Sequence, residues 1–389
     1  MGLNDTPGGE RTHIGFFGCT NSGKSSLINA VTNQQVSIVS EVKGTTTDTV
    51  EKAMELLPLG PLLLLDTPGI DDKSELGKKR IESAKKALRK CDIAVLVTDC
   101  TRQLNHTEKE LIRTFKEKNI PFIIVNNKAD LTDKGGEYFV SAKTGFGINA
   151  LKEKLAQIAD SDNKDRKIAG DLIKKNDFVV LVTPIDASAP KGRLILPQQQ
   201  TIRDILDAGG ISIVAKETEL ENTLKNLGKK PALVITDSQV FEYVSKIVPE
   251  DIPLTSFSIL MARYKGFLDT AVKGADVIDK LQNGDKILIS EGCTHHRQCE
   301  DIGTVKLPNL LKKYTGKELE LHFSSGKDYP QNLNDFSLII HCGGCMLNRK
   351  EMQYRMNTAI DENVPFTNYG IAIAHMKGIL KRSIAVFNK

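Results

Sequence analysis

Short apolar runs separated by polar stretches of helical period recur along the whole chain. His13 to Phe17 is the first such run, and Ser25 to Val31 behind it reads as a helix. Leu62 to Leu65 and Phe122 to Val125 have the length and turn-residue boundaries of buried strands, and a further strand is expected just before Ser141. The polar stretch Asp160-Ser-Asp-Asn-Lys-Asp-Arg-Lys167 interrupts this rhythm and reads as a boundary. Beyond it, strands at Phe178 to Val182, Ile211 to Ala215 and Ala232 to Ile235 alternate with helices over Gln198 to Ala208, Glu217 to Leu227 and Gln239 to Ile247. A third unit is expected to start at Ala262-Arg-Tyr-Lys-Gly-Phe267, with a helix over Leu268 to Leu281. Its strands are at Lys286 to Ser290, Leu319 to Phe323 and Ser337 to His341. Strands alternating with helices predict an α/β protein with parallel or mixed sheets. Its three domains are residues 1–166, 167–264 and 265–389, the last two smaller than the first.

The first strand is followed by Gly18-Cys19-Thr20-Asn21-Ser22-Gly23-Lys24-Ser25, the G-x(4)-G-K-S pattern in the strand, loop and helix setting a phosphate loop requires. Its glycines let backbone N–H groups turn inward on phosphates. Gly18, Asn21, Ser22, Gly23, Lys24, Ser25 and Ser26 make up the binding stretch, with Lys24 reaching β- and γ-oxygens and the Ser25 hydroxyl completing Mg²⁺. Three more elements follow in order: Asp66-Thr67-Pro68-Gly69, Asn127-Lys128-Ala129-Asp130 and Ser141-Ala142-Lys143. Asp66 is placed to hold Mg²⁺ through water, and Gly69 to sense a γ-phosphate. The Asp130 carboxylate can accept from N1–H and the exocyclic amine of guanine, so GTP and GDP are the expected nucleotides.

Over these motifs the first domain resembles the translation-factor-like GTPases of the MnmE and Era group. The resemblance implies a switch rather than a metabolic enzyme. It implies that Thr46 of Gly44-Thr45-Thr46-Thr47-Asp48 closes over Mg²⁺, with Thr45 as the neighbouring alternative, and that Asn21 helps hold K⁺. No glutamine lies between Pro68 and Gln103 to orient water in the Ras manner. Intrinsic hydrolysis is therefore expected to be slow unless charge comes from elsewhere, and K⁺ beside Asn21 is the expected source. The catalytic set is thus Lys24, Asn21 and Thr46.

Composition narrows the partners. The formal charge of +4 comes from 53 basic against 49 acidic residues, close to balance for 389 residues, so no nucleic-acid partner is expected. No apolar run approaches the roughly 20 residues needed to span a bilayer, and no leader pattern precedes the first strand, so a cytoplasmic protein without a membrane partner is expected. Met1 to Thr6 fits the loose N-myristoylation pattern, which weighs less than a plain disordered leader. Seven cysteines are an odd number and do not suggest a disulfide framework. Cys19, Cys91 and Cys100 read as small buried hydrophobes. Cys293, Cys299, Cys342 and Cys345 fall in the last quarter.

There, Cys293-Thr-His295 and His341-Cys342-Gly-Gly-Cys345 each sit just past the end of a strand, where open α/β sheets bind ligands. Gly343-Gly344 permits a turn that aims both thiolates at one centre. Three thiolates suit an iron–sulfur cluster with one iron left to another ligand, while Cys₃His suits structural zinc. Spacing does not choose between them. Together with the GTPase domain, however, this signature resembles the HydF family of FeFe-hydrogenase maturation GTPases over nearly the whole chain.

That resemblance implies a 4Fe-4S cluster on Cys293, Cys342 and Cys345, and a middle dimerisation domain that makes a homodimer. It further implies a scaffold or chaperone role. A transient di-iron precursor, built with radical-SAM maturases, would be delivered to apo FeFe-hydrogenase. Candidates for the fourth ligand are Asp186, His295, His341 and water or an outside ligand. Asp186 ends the apolar run that reaches Ile185, a position that equally suits capping the Ser188 turn. His296 and Cys299 read as bystanders. The competing function is an MnmE- or Era-like GTPase acting on tRNA or the ribosome with a C-terminal zinc module; near-neutral charge and 5% aromatic residues are poor material for it.

Overall fold

The computed structural model describes residues 6–33, 49–70, 75–133, 135–163, 166–185, 194–292, 302–326, 328–330 and 332–388, without the side chains of 75, 76 and 160–163. The chain divides into two compact units, Met1–Asp165 and Arg166–Lys389.

In the first unit the elements run β1 (Thr12–Phe17), α1 (Lys24–Thr32), β2 (Val50–Leu56), β3 (Gly60–Asp66), α2 (Glu75–Arg89), β4 (Ile93–Asp99), α3 (His106–Glu117), β5 (Phe122–Asn127) and α4 (Ile148–Asn163). The sheet order is β2-β3-β1-β4-β5, with β2 antiparallel to β3 and every other pair parallel. Side chains alternate across each strand, so β1 sends Ile14 and Phe16 to a core closed by Leu27, Ile28, Leu151 and Leu155. Phe17 points to the opposite core with Leu65, Leu96 and Phe115. Burial on both faces is why β1 and β4 are continuous apolar runs. β2 lies at the sheet edge and is largely exposed, so its mixed sequence gave no strand signal. The strand expected before Ser141 is a correction: only an isolated parallel bridge joins Asn126 to Phe139, because Tyr138 stands at φ 62° and breaks the extended run.

The second unit continues with β6 (Phe178–Val182), α5 (Leu196–Asp207), β7 (Ile211–Ala215), α6 (Leu220–Asn226), β8 (Leu233–Thr236), α7 (Phe241–Ile247), β9 (Leu254–Ser256), α8 (Phe257–Lys265) and α9 (Leu268–Ala275). It ends with β10 (Lys286–Glu291), α10 (Leu307–Thr315), β11 (Glu320–Ser325), β12 (Leu338–His341), α11 (Arg349–Asp361), β13 (Phe366–Asn368), α12 (Tyr369–Met376) and α13 (Leu380–Ile384). Two all-parallel sheets result, β7-β6-β8-β9 and β11-β10-β12-β13. One buried cluster joins them: Val180, Val234 and Leu254 of the first share it with Ile287, Ile339 and Phe366 of the second.

Ala262 to Lys265, expected to open a third unit, instead complete α8. The Ser256 hydroxyl caps that helix at Ile259 N, and Gly266 at φ 79° ends it. The helix expected over Leu268 to Leu281 stops at Ala275, and a single 3₁₀ turn follows at Ile278–Lys280. Among the described residues no helix is long and apolar enough to cross a membrane.

Candidate functional site

β1 delivers the chain into the 18–23 loop, and α1 leaves it at Lys24. Gly18 has φ 149°, and a Cβ there would come within 2.3 Å of Val97 O; Gly23 has φ 86°, and a Cβ would meet Asn127 Nδ2 at 2.2 Å. Both positions therefore demand glycine. Asn21 also adopts a left-handed φ of 60°. The Lys24 ammonium folds back inside the loop, donating to Gly18 O at 3.1 Å and Cys19 O at 2.8 Å. Ser22 Oγ is buried and has no hydrogen-bond partner among the described residues, the state expected of a donor kept for a ligand. Ser26 follows Ser25 in the first turn of α1.

The Ser25 hydroxyl donates to Asp66 Oδ2 at 3.1 Å, so the loop and the end of β3 present two oxygens together where Mg²⁺ is expected. Gly69 lies against the loop: a Cβ would come 2.4 Å from Thr20 Oγ1. Thr46 lies outside the described residues.

At the far side of the pocket Asn127 ties three segments together. Its Nδ2 donates to Ser22 O at 3.0 Å, and its Oδ1 accepts from Ala142 N at 3.2 Å. Asp130 accepts from the Ser141 hydroxyl at 2.6 Å, a bond that holds the carboxyl below its ordinary range and keeps it an acceptor for a base. Lys128 bonds Asp99 at 2.6 Å. Burial raises the Asp99 pKa, but the Lys128 ammonium and the Thr101 hydrogen bonds outweigh it and hold it at about 2. Asp99 was not visible as a site residue in the sequence, since it ends β4 with no motif around it. Lys143 follows Ala142 and is exposed.

The second site begins where β12 ends. Cys342 Sγ accepts two peptide N–H bonds, from Gly292 at 3.1 Å and Gly344 at 3.4 Å. Gly344 turns the chain at φ 64°, bringing Cys345 onto the same turn. Burial pushes the Cys342 thiol up to about 11, opposed by the Gly292 N–H. Burial likewise raises Cys345, with the Lys265 ammonium acting in the other direction. Peptide N–H groups aimed at a sulfur favour its thiolate, and hydrogen bonds to sulfur are characteristic of iron–sulfur ligation. The pair therefore fits a metal-bound thiolate site. Cys293, whose neighbour Gly292 supplies the shorter bond, lies outside the described residues, as do His295 and Asp186. Among the described residues no group of three His, Cys, Asp or Glu side chains stands together to hold a metal.

His341 is fully buried, with Arg355 Nη1 3.1 Å from its Nε2 and its Nδ1 2.8 Å from Cys342 O. A guanidinium only donates, so Nε2 accepts and the proton sits on Nδ1, which donates to the Cys342 carbonyl. Burial, reinforced by the Arg355 charge, lowers His341 to about 3 and keeps it neutral. Both ring nitrogens are engaged by protein, and the ring packs 5.9 Å from the Phe366 ring. Arg355 also bonds Glu351 at 3.0 Å and Gly326 O at 2.6 Å, making a satisfied buried network.

Family models match three consecutive stretches: a "50S ribosome-binding GTPase" over residues 13–128, a "Hydrogen maturase F dimerization domain" over 168–266 and a "Hydrogen maturase F tetramerization domain" over 269–386. GTPase Der of Mycoplasmopsis pulmonis is 31% identical over 205 residues, covering 46% of this chain and 46% of that protein. The tRNA modification GTPase MnmE of Legionella pneumophila is 40% identical over 149 residues, 36% of this chain and 33% of that protein. The chain thus spans less than half the length of these curated relatives. The structure of Aquifex aeolicus Era bound to GDP.AlF4- is 18% identical with a TM-score of 0.30, covering 83% of this chain and 97% of that one.

Proposed function

This chain belongs to the hydrogen maturase F family, and from that premise we propose that it is a cytoplasmic GTP-hydrolysing scaffold for assembling the FeFe-hydrogenase active site. A 4Fe-4S cluster is held by Cys293, Cys342 and Cys345. A di-iron precursor is its cargo, received from radical-SAM maturases and passed to apo-hydrogenase. The observation that carries this reading is the Gly292 N–H on Cys342 Sγ, which brings the residue before Cys293 to the turn bearing the other two thiols. The three-domain division at 166 and 264 is supported by the separate matches over 168–266 and 269–386. A homodimer through the middle domain fits the dimerisation model.

A resident cluster with one iron not held by cysteine supplies an exchangeable coordination position. The Arg355 bond to His341 Nε2 argues against that imidazole as the remaining ligand, leaving Asp186, His295 or a ligand from outside. The protein's part is to keep two half-buried thiols on one turn, with peptide N–H groups aimed at Cys342 Sγ.

In the nucleotide pocket, Lys24 and the loop N–H groups neutralise phosphate charge, Ser25, Asp66 and Thr46 hold Mg²⁺, and Asp130 selects guanine. Asn21 is the K⁺ ligand, and the left-handed backbone that turns it out of the loop supports that role. Hydrolysis is expected to run about tenfold faster or more in K⁺ than in Na⁺ at matched ionic strength, ~1.4 kcal/mol of barrier. Equal initial rates in the two salts would retire Asn21 from catalysis.

Delivery is tested by mixing. Protein co-expressed with the radical-SAM maturases is expected to turn apo FeFe-hydrogenase into hydrogen-evolving enzyme, and protein made without them is not. Equal activation by both preparations would overturn the cargo reading.

A further inference from the structure

The two sheets of the second unit are the same structure written twice. β6 pairs β7 with Phe178 opposite Ile211 and Val182 opposite Ala215; β10 pairs β11 with Lys286 opposite Glu320 and Ser290 opposite Ser324. β6 sets Val179 to Val182 against Leu233 to Thr236, as β10 sets Ile287 to Ser290 against Leu338 to His341. β8 sets Val234 against Leu254, as β12 sets Ile339 against Phe366. Equivalent residues are thus in equivalent register in every pair.

The hydrogen bonds outside the ladders repeat as well. Asp237 N reaches Val182 O where Cys342 N reaches Ser290 O, and Val234 N reaches Pro253 O where Ile339 N reaches Pro365 O. Sequence follows along the last segment: Pro253, Thr255, Ile259, Ala262, Lys265, Gly266 and Leu268 recur as Pro365, Thr367, Ile371, Ala374, Lys377, Gly378 and Leu380. Ser256 and Asn368 cap the corresponding helices α8 and α12.

After the repeated Lys-Gly, each half sends its final helix onto the other. α9 lies on β13 so closely that a Cβ on Gly274 would come 2.1 Å from Phe366 O. The α13 residue Arg382 bonds the carbonyls of Ser245 at 3.0 Å and Val248 at 2.8 Å in the first half. The two lysines cross with them. Lys377 reaches the segment after β8 and pairs with Glu242 at 2.6 Å, its side chain 31% exposed. Lys265 reaches the segment after β12, where it is 1% exposed and its ammonium donates to Leu347 O, two residues from Cys345.

We propose that Lys265, supplied by the first repeat, is a charge-setting and positioning residue for the thiol site of the second. The same crossing lysine serves an exposed carboxylate in one half and a buried thiol turn in the other. Its bond to Leu347 O fixes the Cys342–Leu347 turn. Its charge, in surroundings of low dielectric, offsets the negative charge that thiolates bring to whatever metal centre they bind. The role rests on the cluster-scaffold reading above.

The test is a dye-mediated potentiometric titration followed by EPR on the reconstituted full chain, for wild type, Lys265→Gln, Lys265→Arg and Lys377→Gln. Glutamine keeps a donor for Leu347 O and drops the charge. Reduction adds negative charge to the site, so Lys265→Gln is expected to make it harder by about tenfold or more, a midpoint about 59 mV more negative. Lys265→Arg is expected to stay near wild type, and Lys377→Gln to leave the midpoint unchanged. Wild-type midpoint in Lys265→Gln, or an equal shift in Lys377→Gln, overturns this inference alone. If Lys265→Gln binds no iron, retention of iron and midpoint by Lys265→Arg still assigns the effect to charge, and loss in both variants overturns it. Wild type without iron or sulfide would overturn the scaffold reading and this inference together.

Discussion

Replacing Lys24 by alanine is expected to cut GTP hydrolysis by about 10²- to 10³-fold, ~2.7–4 kcal/mol of transition-state stabilisation, while iron content and cluster absorbance stay at wild-type levels. The ammonium is buried in the loop on Gly18 O and Cys19 O, the place from which it can reach phosphate oxygens as charge develops on them. The thiols belong to the other compact unit, with its own cores. Initial phosphate-release rates, read beside the visible spectrum of the same preparation, check both halves of the expectation. If the cluster disappears along with hydrolysis, the two chemistries are not separable and GTP binding is needed to build the site.

The converse is expected of the thiols. Cys342→Ala and Cys345→Ala should each lower reconstituted iron from about four per chain to about one or less, with the GTP hydrolysis rate unchanged. The cost to folding is modest, because each thiol is only half-buried and Cys342 packs at the margin of the apolar core rather than inside it. The loss to the site is large because Cys342 is the acceptor for two peptide N–H groups, Gly292 and Gly344, which alanine leaves aimed at an empty space. Full iron retention in either variant would remove that cysteine from the ligand set; retention in both would remove the turn from the site altogether.

Much of this was legible in the sequence because strands buried on both faces are written as unbroken apolar runs. Phe178 to Val182 coincides with β6, buried along nearly its whole length, whereas Ile211 to Ala215 coincides with β7, an exposed edge strand that was legible through its β-branched Ile211, Ile213 and Val214. Other edges were harder to read. β2 mixes charged and apolar residues without regular alternation at the border of its sheet and left no run to find, while β9 and β13, three residues each, are too short for any period to register. The phosphate loop was readable because glycine is required at Gly18 and Gly23 by backbone geometry that few other residues accept. The supports of this loop and, separately, of the thiol turn were not. Asp99 beside Lys128, Asn127 bridging to Ser22 and Arg355 beneath His341 act through folding that brings distant positions together. His341 illustrates the limit: adjacency to Cys342 suggested a ligand, while the structure gives its Nε2 to Arg355, fourteen positions away. The duplication in the second unit was hidden for a related reason. Its register is conserved strand by strand, but only the stretch from Pro253 to Leu268 keeps enough identical residues to align by eye.

The central claim is that one chain combines a guanine-nucleotide pocket with a site-open iron–sulfur centre. Anaerobic iron and acid-labile sulfide analysis of the reconstituted full chain, with EPR after dithionite reduction, tests it most directly. About four irons and four sulfides per chain, with an S = 1/2 signal that changes on adding imidazole, is the result expected of three thiolates and an exchangeable fourth position. One zinc, no sulfide and no signal would contradict it, assign Cys342 and Cys345 to a structural metal, and leave the nucleotide pocket as the only chemistry established for the chain.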